Sequence, residues 1–164
     1  MRCPLRAAAP RRTRASLVVL GLSLLGGGCA RERPAAAPSV PVVREAWARP
    51  AAAGADGALY FTLANPGGDT LVVVGARSDV ATAASLHASM QMGTGAAAMV
   101  HMTPLARVAV PPGDSVVFAP LGRHAMLERL RRALGVGDSV PFALAVTWGG
   151  RADTLRARAV VRPF

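Results

Sequence analysis

Short apolar runs alternate with turn residues through most of this chain, and few stretches sustain a helical period. Runs at 42–48, 58–64, 70–75, 85–87, 108–110, 115–119, 123–127, 139–147 and 154–161 read as strands. Between them stand Gly54-Ala-Asp-Gly57, Asn65-Pro-Gly-Gly68, Pro111-Pro-Gly-Asp114, Gly135-Val-Gly-Asp138 and Gly149-Gly150. Many short strands separated by Gly, Pro and Asp turns predict an all-β antiparallel sandwich or barrel. The one stretch with helical character is 126–134 (MLERLRRAL), which predicts either a short helical turn or an irregular crossing between sheets.

The start of the chain follows a different pattern. Residues 1–15 are basic and carry no acid, residues 16–25 are apolar or small, and Gly26-Gly27-Gly28-Cys29 follows. A basic region, a short apolar region and small residues before a cut site describe a secretory signal. The apolar run is about half of the ~20 residues that span a bilayer, so no permanent membrane helix is expected. Small residues before a cysteine are similar to the bacterial lipoprotein box, although Leu25 stands four places before Cys29 rather than three. The expected organisation is a lipoprotein-type signal peptide over 1–28, a lipidated Cys29 with a Pro/Ala-rich tether over 29–41, and one domain over 42–164. An ordinary signal peptide cut nearby is the alternative.

Composition refines this picture in two ways. Aromatic residues are only 4% of a chain that is 52% apolar, so the core must rest on Val, Leu and Ala. The formal charge of +10 overstates the basic character of the domain. Every one of the 19 basic residues is arginine, and five of them precede residue 15, leaving 14 against 9 acids. The rest are scattered, with Arg129, Arg131 and Arg132 the only tight group, and no aromatic or helical reader accompanies them. Nucleic-acid binding is therefore not expected. Of the two cysteines, Cys3 lies in the leader and Cys29 at the cut site, so the domain has no internal disulfide.

The sharpest signal is a cluster. All three histidines lie between 87 and 124, and every methionine except Met1 lies between 90 and 126. In His124-Ala125-Met126, a strand conformation would turn the imidazole and the thioether to one face. Imidazole and thioether without carboxylate favour soft Cu(I), and no Asp or Glu occurs between Val80 and Gly113. With His87 and Met102 at the mouths of expected loops, His87, Met102, His124 and Met126 make an N2S2 candidate set. Met90, Met92, Met99 and His101 occupy a Gly/Ala/Ser-rich segment expected to be an exposed loop, and are possible additional ligands. A single Met is ordinarily core filler and a single His a satisfied polar residue; a cluster of this size outside any expected core is neither. His101 is a candidate for a secondary Cu(II) site.

At these residues the sequence resembles the PCu(A)C-type periplasmic copper chaperones, whose signature is a His, ten residues, a Met, twenty-one residues and His-x-Met. Twenty-one residues separate Met102 from His124, and His124-Ala125-Met126 supplies the final element. Ala46 to Pro50 (AWARP), Ala58 to Asn65 (ALYFTLAN), Ser85-Leu-His87, Met102-Thr-Pro104, Pro111 to Asp114 and Gly137 to Pro141 fall in the family's order. Two departures stand out: fourteen residues, not ten, separate His87 from Met102, and Arg123 occupies a position often aromatic in the family. The resemblance implies a cupredoxin-like β-sandwich and His87, Met102, His124 and Met126 as Cu(I) ligands. It also implies copper delivery to the binuclear centre of a cytochrome oxidase, with the oxidase copper subunit and a thiol-containing chaperone as partners. The expected protein is a monomer, exported to the periplasmic side and held at the membrane by its lipid.

Three other function classes compete, one of them a plain structural or adhesion sandwich, which would leave the Met/His cluster unexplained. A copper-buffering or resistance lipoprotein would use the same ligands without a dedicated recipient. An enzyme or electron-transfer protein is disfavoured: a blue-copper site needs a thiolate that the domain lacks, and no Ser/His/acid or paired-carboxylate arrangement stands out.

Overall fold

A computed structural model of the chain describes residues 40–93 and 99–163. The expected leader, Cys29 and most of the tether lie outside the described residues.

The described residues form ten strands and no helix. They are β1 (Val42–Ala48), β2 (Gly57–Ala64), β3 (Leu71–Arg77), β4 (Ala81–Met92) and β5 (Met99–Pro104), followed by β6 (Val108–Val110), β7 (Ser115–Phe118), β8 (Arg123–Leu130), β9 (Ser139–Trp148) and β10 (Arg151–Val161). Hydrogen bonds join nine of them in the order β5-β4-β8-β2-β1-β10-β9-β3-β6, with β7 added against β2. The pairing is antiparallel except between β1 and β10, which run parallel at Trp47–Val160 and Ala48–Val161. The expected all-β sandwich is found, and among the described residues this pair is its one departure from antiparallel pairing. The parallel join lets the last strand of the chain lie beside the first.

One core serves the whole sheet. Leu59, Leu86, Ala125 and Leu127 from β2, β4 and β8 pack in one cluster with Leu71, Val73, Val108, Val110, Leu144 and Val146 from β3, β6 and β9. A continuous sheet buries both ends of its strand order in one cluster only by folding over on itself, which gives the two-layer arrangement. Phe61 and Phe118 stack at 4.3 Å between ring centroids within this core, a contact worth about 0.5–1.5 kcal/mol beyond its buried area.

Three expectations are corrected. The stretch 126–134 is not helical: β8 continues to Leu130, and Leu134 makes an isolated bridge to Ala51. Strand propensity in Leu127 and Leu130 is secured here by burial, and tertiary packing overrides the helical character of Glu and Arg. The 85–87 run is the middle of a twelve-residue strand, β4. The expected Met-rich loop is the far half of that strand plus β5, a strand absent from the sequence reading.

A bulge in β1 shapes the outer face. The register with β2 runs Val42–Ala64, Val43–Leu63 and Arg44–Thr62, then resumes at Trp47–Tyr60 with one extra residue in β1. Glu45 takes a positive φ of 52° at this step. Without the extra residue Ala46 would stand opposite Tyr60; with it, Trp47 does. The indole lies 4.5 Å from the Tyr60 ring, and the Arg162 guanidinium sits 4.4 Å over it.

Candidate metal centre

The register of four neighbouring strands decides which of the chemistry-bearing side chains meet. Across β4 and β8, Ser85 faces Met126 and His87 faces His124. Across β4 and β5, Ser89 faces Met102. Directly opposed residues project to the same side of a sheet, and alternate residues along a strand share a side. His87, Met102, His124 and Met126 therefore stand on one face, directed away from the core that receives Leu86, Ala125 and Leu127. Ala58 faces Met126 across β2 and β8, so Tyr60 and Trp47 extend the same face as an aromatic wall. Tyr60 lies 6.4 Å from His124 between ring centroids. A depression of about 540 Å³ opens on this face, and its lining includes Arg49, Asp56, Tyr60, Ser89, Met102, His124 and Met126.

Each imidazole is held by a specific hydrogen bond. Ser85 donates its hydroxyl proton to the Glu128 carboxylate at 2.6 Å. With that proton committed, the Ser85 oxygen accepts from His87 Nε2 at 3.0 Å. His87 is thus fixed as the Nε2–H tautomer. Its Nδ1 carries a bare lone pair, is buried and has no hydrogen-bond partner. An orphaned buried acceptor costs about 1–3 kcal/mol unless something fills it. On His124 the roles are reversed: Nδ1 donates to the Gly122 carbonyl at 3.2 Å, which leaves Nε2 as the lone-pair nitrogen. The two rings lie 5.8 Å apart and within 24° of parallel.

Burial and charge suit neutral ligands. His124 is only 6% exposed, one of two buried polar residues among those described, the other being Asn65. Burial pushes the His124 imidazole below its ordinary value. The Gly122 carbonyl opposes the shift, and the adjacent His87 reinforces it. A depressed pKa keeps the ring neutral at neutral pH, the form in which imidazole donates to a metal. Met126 is half-buried beside it, while Met102 is exposed at the rim. The face thus offers one buried and one half-buried imidazole, two thioethers and one unsatisfied nitrogen. That donor set fits a soft monovalent cation.

The other four candidates stand on the opposite side of the same strands. Met90 faces His101 and Met92 faces Met99 across β4 and β5. By the alternation that points Leu86 into the core, these four take the core-facing side, but they lie beyond the end of β8, where Arg123 pairs with Ala88. They are therefore exposed and separated from His87, Met102, His124 and Met126 by the sheet itself. Sequence reasoning missed Glu128 and Ser85 as supports of His87. The signal was present in Ser85-Leu-His87, whose alternation puts hydroxyl and imidazole on one side of a strand.

Comparison with known proteins gives a family and a fold. The family described as "Putative lipoprotein LpqE-like" matches residues 42–155. A protein of Leifsonia xyli subsp. xyli described as "Putative lipoprotein Lxx21020" is 31% identical over 145 residues, covering 85% of this chain and 82% of that one. Among solved structures, the apo PCuAC domain from PmoF1 superposes with a TM-score of 0.59 at 21% identity, over 76% of this chain and 94% of that one. The solution structure described as CuI-DR1885 from Deinococcus radiodurans matches with a TM-score of 0.51 at 27% identity, over 77% of this chain and 81% of that one. The all-β fold is that of the PCuAC, cupredoxin-like domains.

Proposed function

The chain belongs to the LpqE-like family of lipoproteins, and we propose that it is an exported copper(I) chaperone whose cargo is held by His87 Nδ1, Met102, His124 Nε2 and Met126. The observation that carries this reading is the orphaned, buried Nδ1 of His87 on the same face as the His124–Met126 pair. The Glu128–Ser85–His87 chain supports it, because it fixes the tautomer that leaves Nδ1 free. The likeness to the CuI-DR1885 structure supports the choice of ion.

Four neutral ligands suit a carrier. Thioethers bind Cu(I) more weakly than thiolates, so transfer to a cysteine-containing site is downhill in ligand strength. The exposed thioether of Met102 at the rim is the natural first ligand to exchange. The recipient in this reading is the binuclear copper centre of a cytochrome oxidase, reached directly or through a thiol-containing chaperone. Cys29, acylated after signal cleavage, would hold the domain at the membrane through the tether over 30–41, on the periplasmic side. The supply of additional exposed thioethers at Met90, Met92 and Met99 favours copper buffering as the second reading. Loss of oxidase activity without copper sensitivity in a deletion strain would select delivery; the converse would select buffering.

The binding claim is tested by Cu(I) titration against a competing chromophoric chelator. The wild type is expected to retain a tightly held equivalent that His124→Ala/Met126→Ala loses. Equal competition by both proteins would remove the assignment. Bound cargo should also raise stability, by about 4 kcal/mol when free Cu(I) exceeds the dissociation constant a thousandfold.

A further inference from the structure

We propose that Met90, Met92, Met99 and His101 form a second Cu(I) site on the reverse side of the β4–β5 ribbon, distinct from the His87/His124 face. The inference rests on the Cu(I) reading above for its cargo, and the variants below separate the two.

The argument begins with the end of β8. Ala88 is the last residue of β4 that pairs with β8, opposite Arg123. Ser89 still donates its N–H to the Gly122 carbonyl at 2.9 Å, and from Met90 to Met92 the strand pairs with β5 alone. The core-facing side of this two-stranded ribbon therefore runs out beyond the layer that would cover it. Met90, Met92 and Met99 are 68%, 59% and 71% exposed, and His101 is exposed as well. Core packing cannot account for three methionines in such positions.

Their arrangement is compact. Met90 stands opposite His101 and Met92 opposite Met99, so the four occupy the corners of one block on one face. Opposed Cβ atoms in an antiparallel pair are about 4.5–5.5 Å apart, and same-face neighbours along a strand about 7 Å. Methionine has three rotatable bonds and a terminal sulfur that reaches the middle of such a block. The front-face neighbours of this segment, Gln91 and Val100, point the other way. No carboxylate occurs between Val80 and Gly113, so the block offers three thioethers and one imidazole and nothing harder. That set selects Cu(I), or Ag(I) as its redox-inert analogue, over Cu(II), Zn(II) and the hard cations.

The experiment is a Cu(I) titration of three forms of the protein: wild type, Met90→Gln/Met92→Gln/Met99→Gln, and His124→Ala/Met126→Ala. Ag(I) titration followed by methionine methyl NMR serves as a second readout. Glutamine keeps the length and exposure of each side chain while removing the sulfur. The expected result is two equivalents for the wild type and one for each variant, with the Met90, Met92 and Met99 methyl signals moving as a group in the His124/Met126 variant. A triple variant that still binds as many equivalents as the wild type overturns the second site. So does a second equivalent that appears only as the protein dimerises, since the block would then be half of an intermolecular site. One equivalent lost only in the His124/Met126 variant leaves the front site standing alone. One equivalent lost only in the triple variant retains the ribbon site and removes the front assignment.

Discussion

The two faces of the β4–β5 ribbon carry the same residue types and treat them differently. On the front, His87 and His124 are seated against neighbours that fix their tautomers, and His124 is buried, with the Tyr60 ring 6.4 Å away. On the back, Met90, Met92, Met99 and His101 stand in the open with no such supports among the described residues. The difference teaches where preorganisation comes from. His87 and His124 lie where β4 and β8 pair, so the Ser85 hydroxyl held by Glu128 of β8 reaches one ring and the Gly122 carbonyl the other, whereas Met102 stands on the outer ribbon itself. The back-face residues lie past the end of β8, on a two-stranded ribbon. A supported site is selective and a loose one exchanges quickly, because ordering flexible side chains costs affinity.

The largest effect that sharpens this comparison should come from the supports of His87. Ser85→Ala or Glu128→Gln leaves all four proposed front-face ligands in place but frees the His87 imidazole to choose its tautomer. Outer-sphere partners of ligating histidines are worth about 10–100-fold in metal affinity. A Cu(I) competition assay is expected to read a loss in that range at the front equivalent and no change at the ribbon. An unchanged front affinity would mean that the Glu128–Ser85–His87 chain is structural only.

Oxidation should separate the faces next. Sulfoxide formation follows exposure of the thioether. Dilute peroxide is expected to modify Met90, Met92 and Met99 several-fold faster than half-buried Met126, as read by peptide mass spectrometry. Met126 oxidising at the same rate would show that the front face opens as readily as the ribbon.

The smallest effect is expected from pH. Because burial depresses the His124 pKa, protons compete for its Nε2 only below the ordinary histidine range near 6.5. The linkage has a definite sign. In the unfolded chain His124 gains a proton as pH falls through about 6.5, while in the folded protein it stays neutral to lower pH. The copper-free protein should therefore lose stability from about pH 6.5 downward, until the folded-state pKa is passed. His124→Gln should flatten that slope in a series of thermal melts; an unaltered slope would assign it to other groups.

Much of this was legible in the chain, and for a physical reason. Strand positions follow from a period of two, and β1 and β6 begin and end where their apolar runs do. His124-Ala125-Met126 announces its own geometry, since alternation alone puts imidazole and thioether together. The ribbon was not legible. Its outer segment is rich in Ala, Ser, Gly and Met, poor strand formers that give no apolar alternation, and its strands are set by pairing with each other rather than by burial. The β1 bulge was equally silent, because Glu45 at a positive φ is not a glycine and carries no turn signature. The helical reading of 126–134 failed because local propensity speaks for Glu128 and Arg129, whereas Leu127 and Leu130 are claimed by the core.

The hairpin register also changes what a spacing in such a sequence measures. Met102 keeps its place because Ser89 sits opposite it, two pairs outward from the His87–Pro104 rung. Everything between Ser89 and Met102 is reach. Residues added or removed at the tip lengthen or shorten the ribbon without moving either sulfur or nitrogen at its root. The fourteen residues between His87 and Met102 are therefore a ruler for how far the ribbon projects. A search for related sequences that fixes this number would discard chains with an identical centre and a longer or shorter arm. The ladder rung, rather than the interval, sets where Met102 stands.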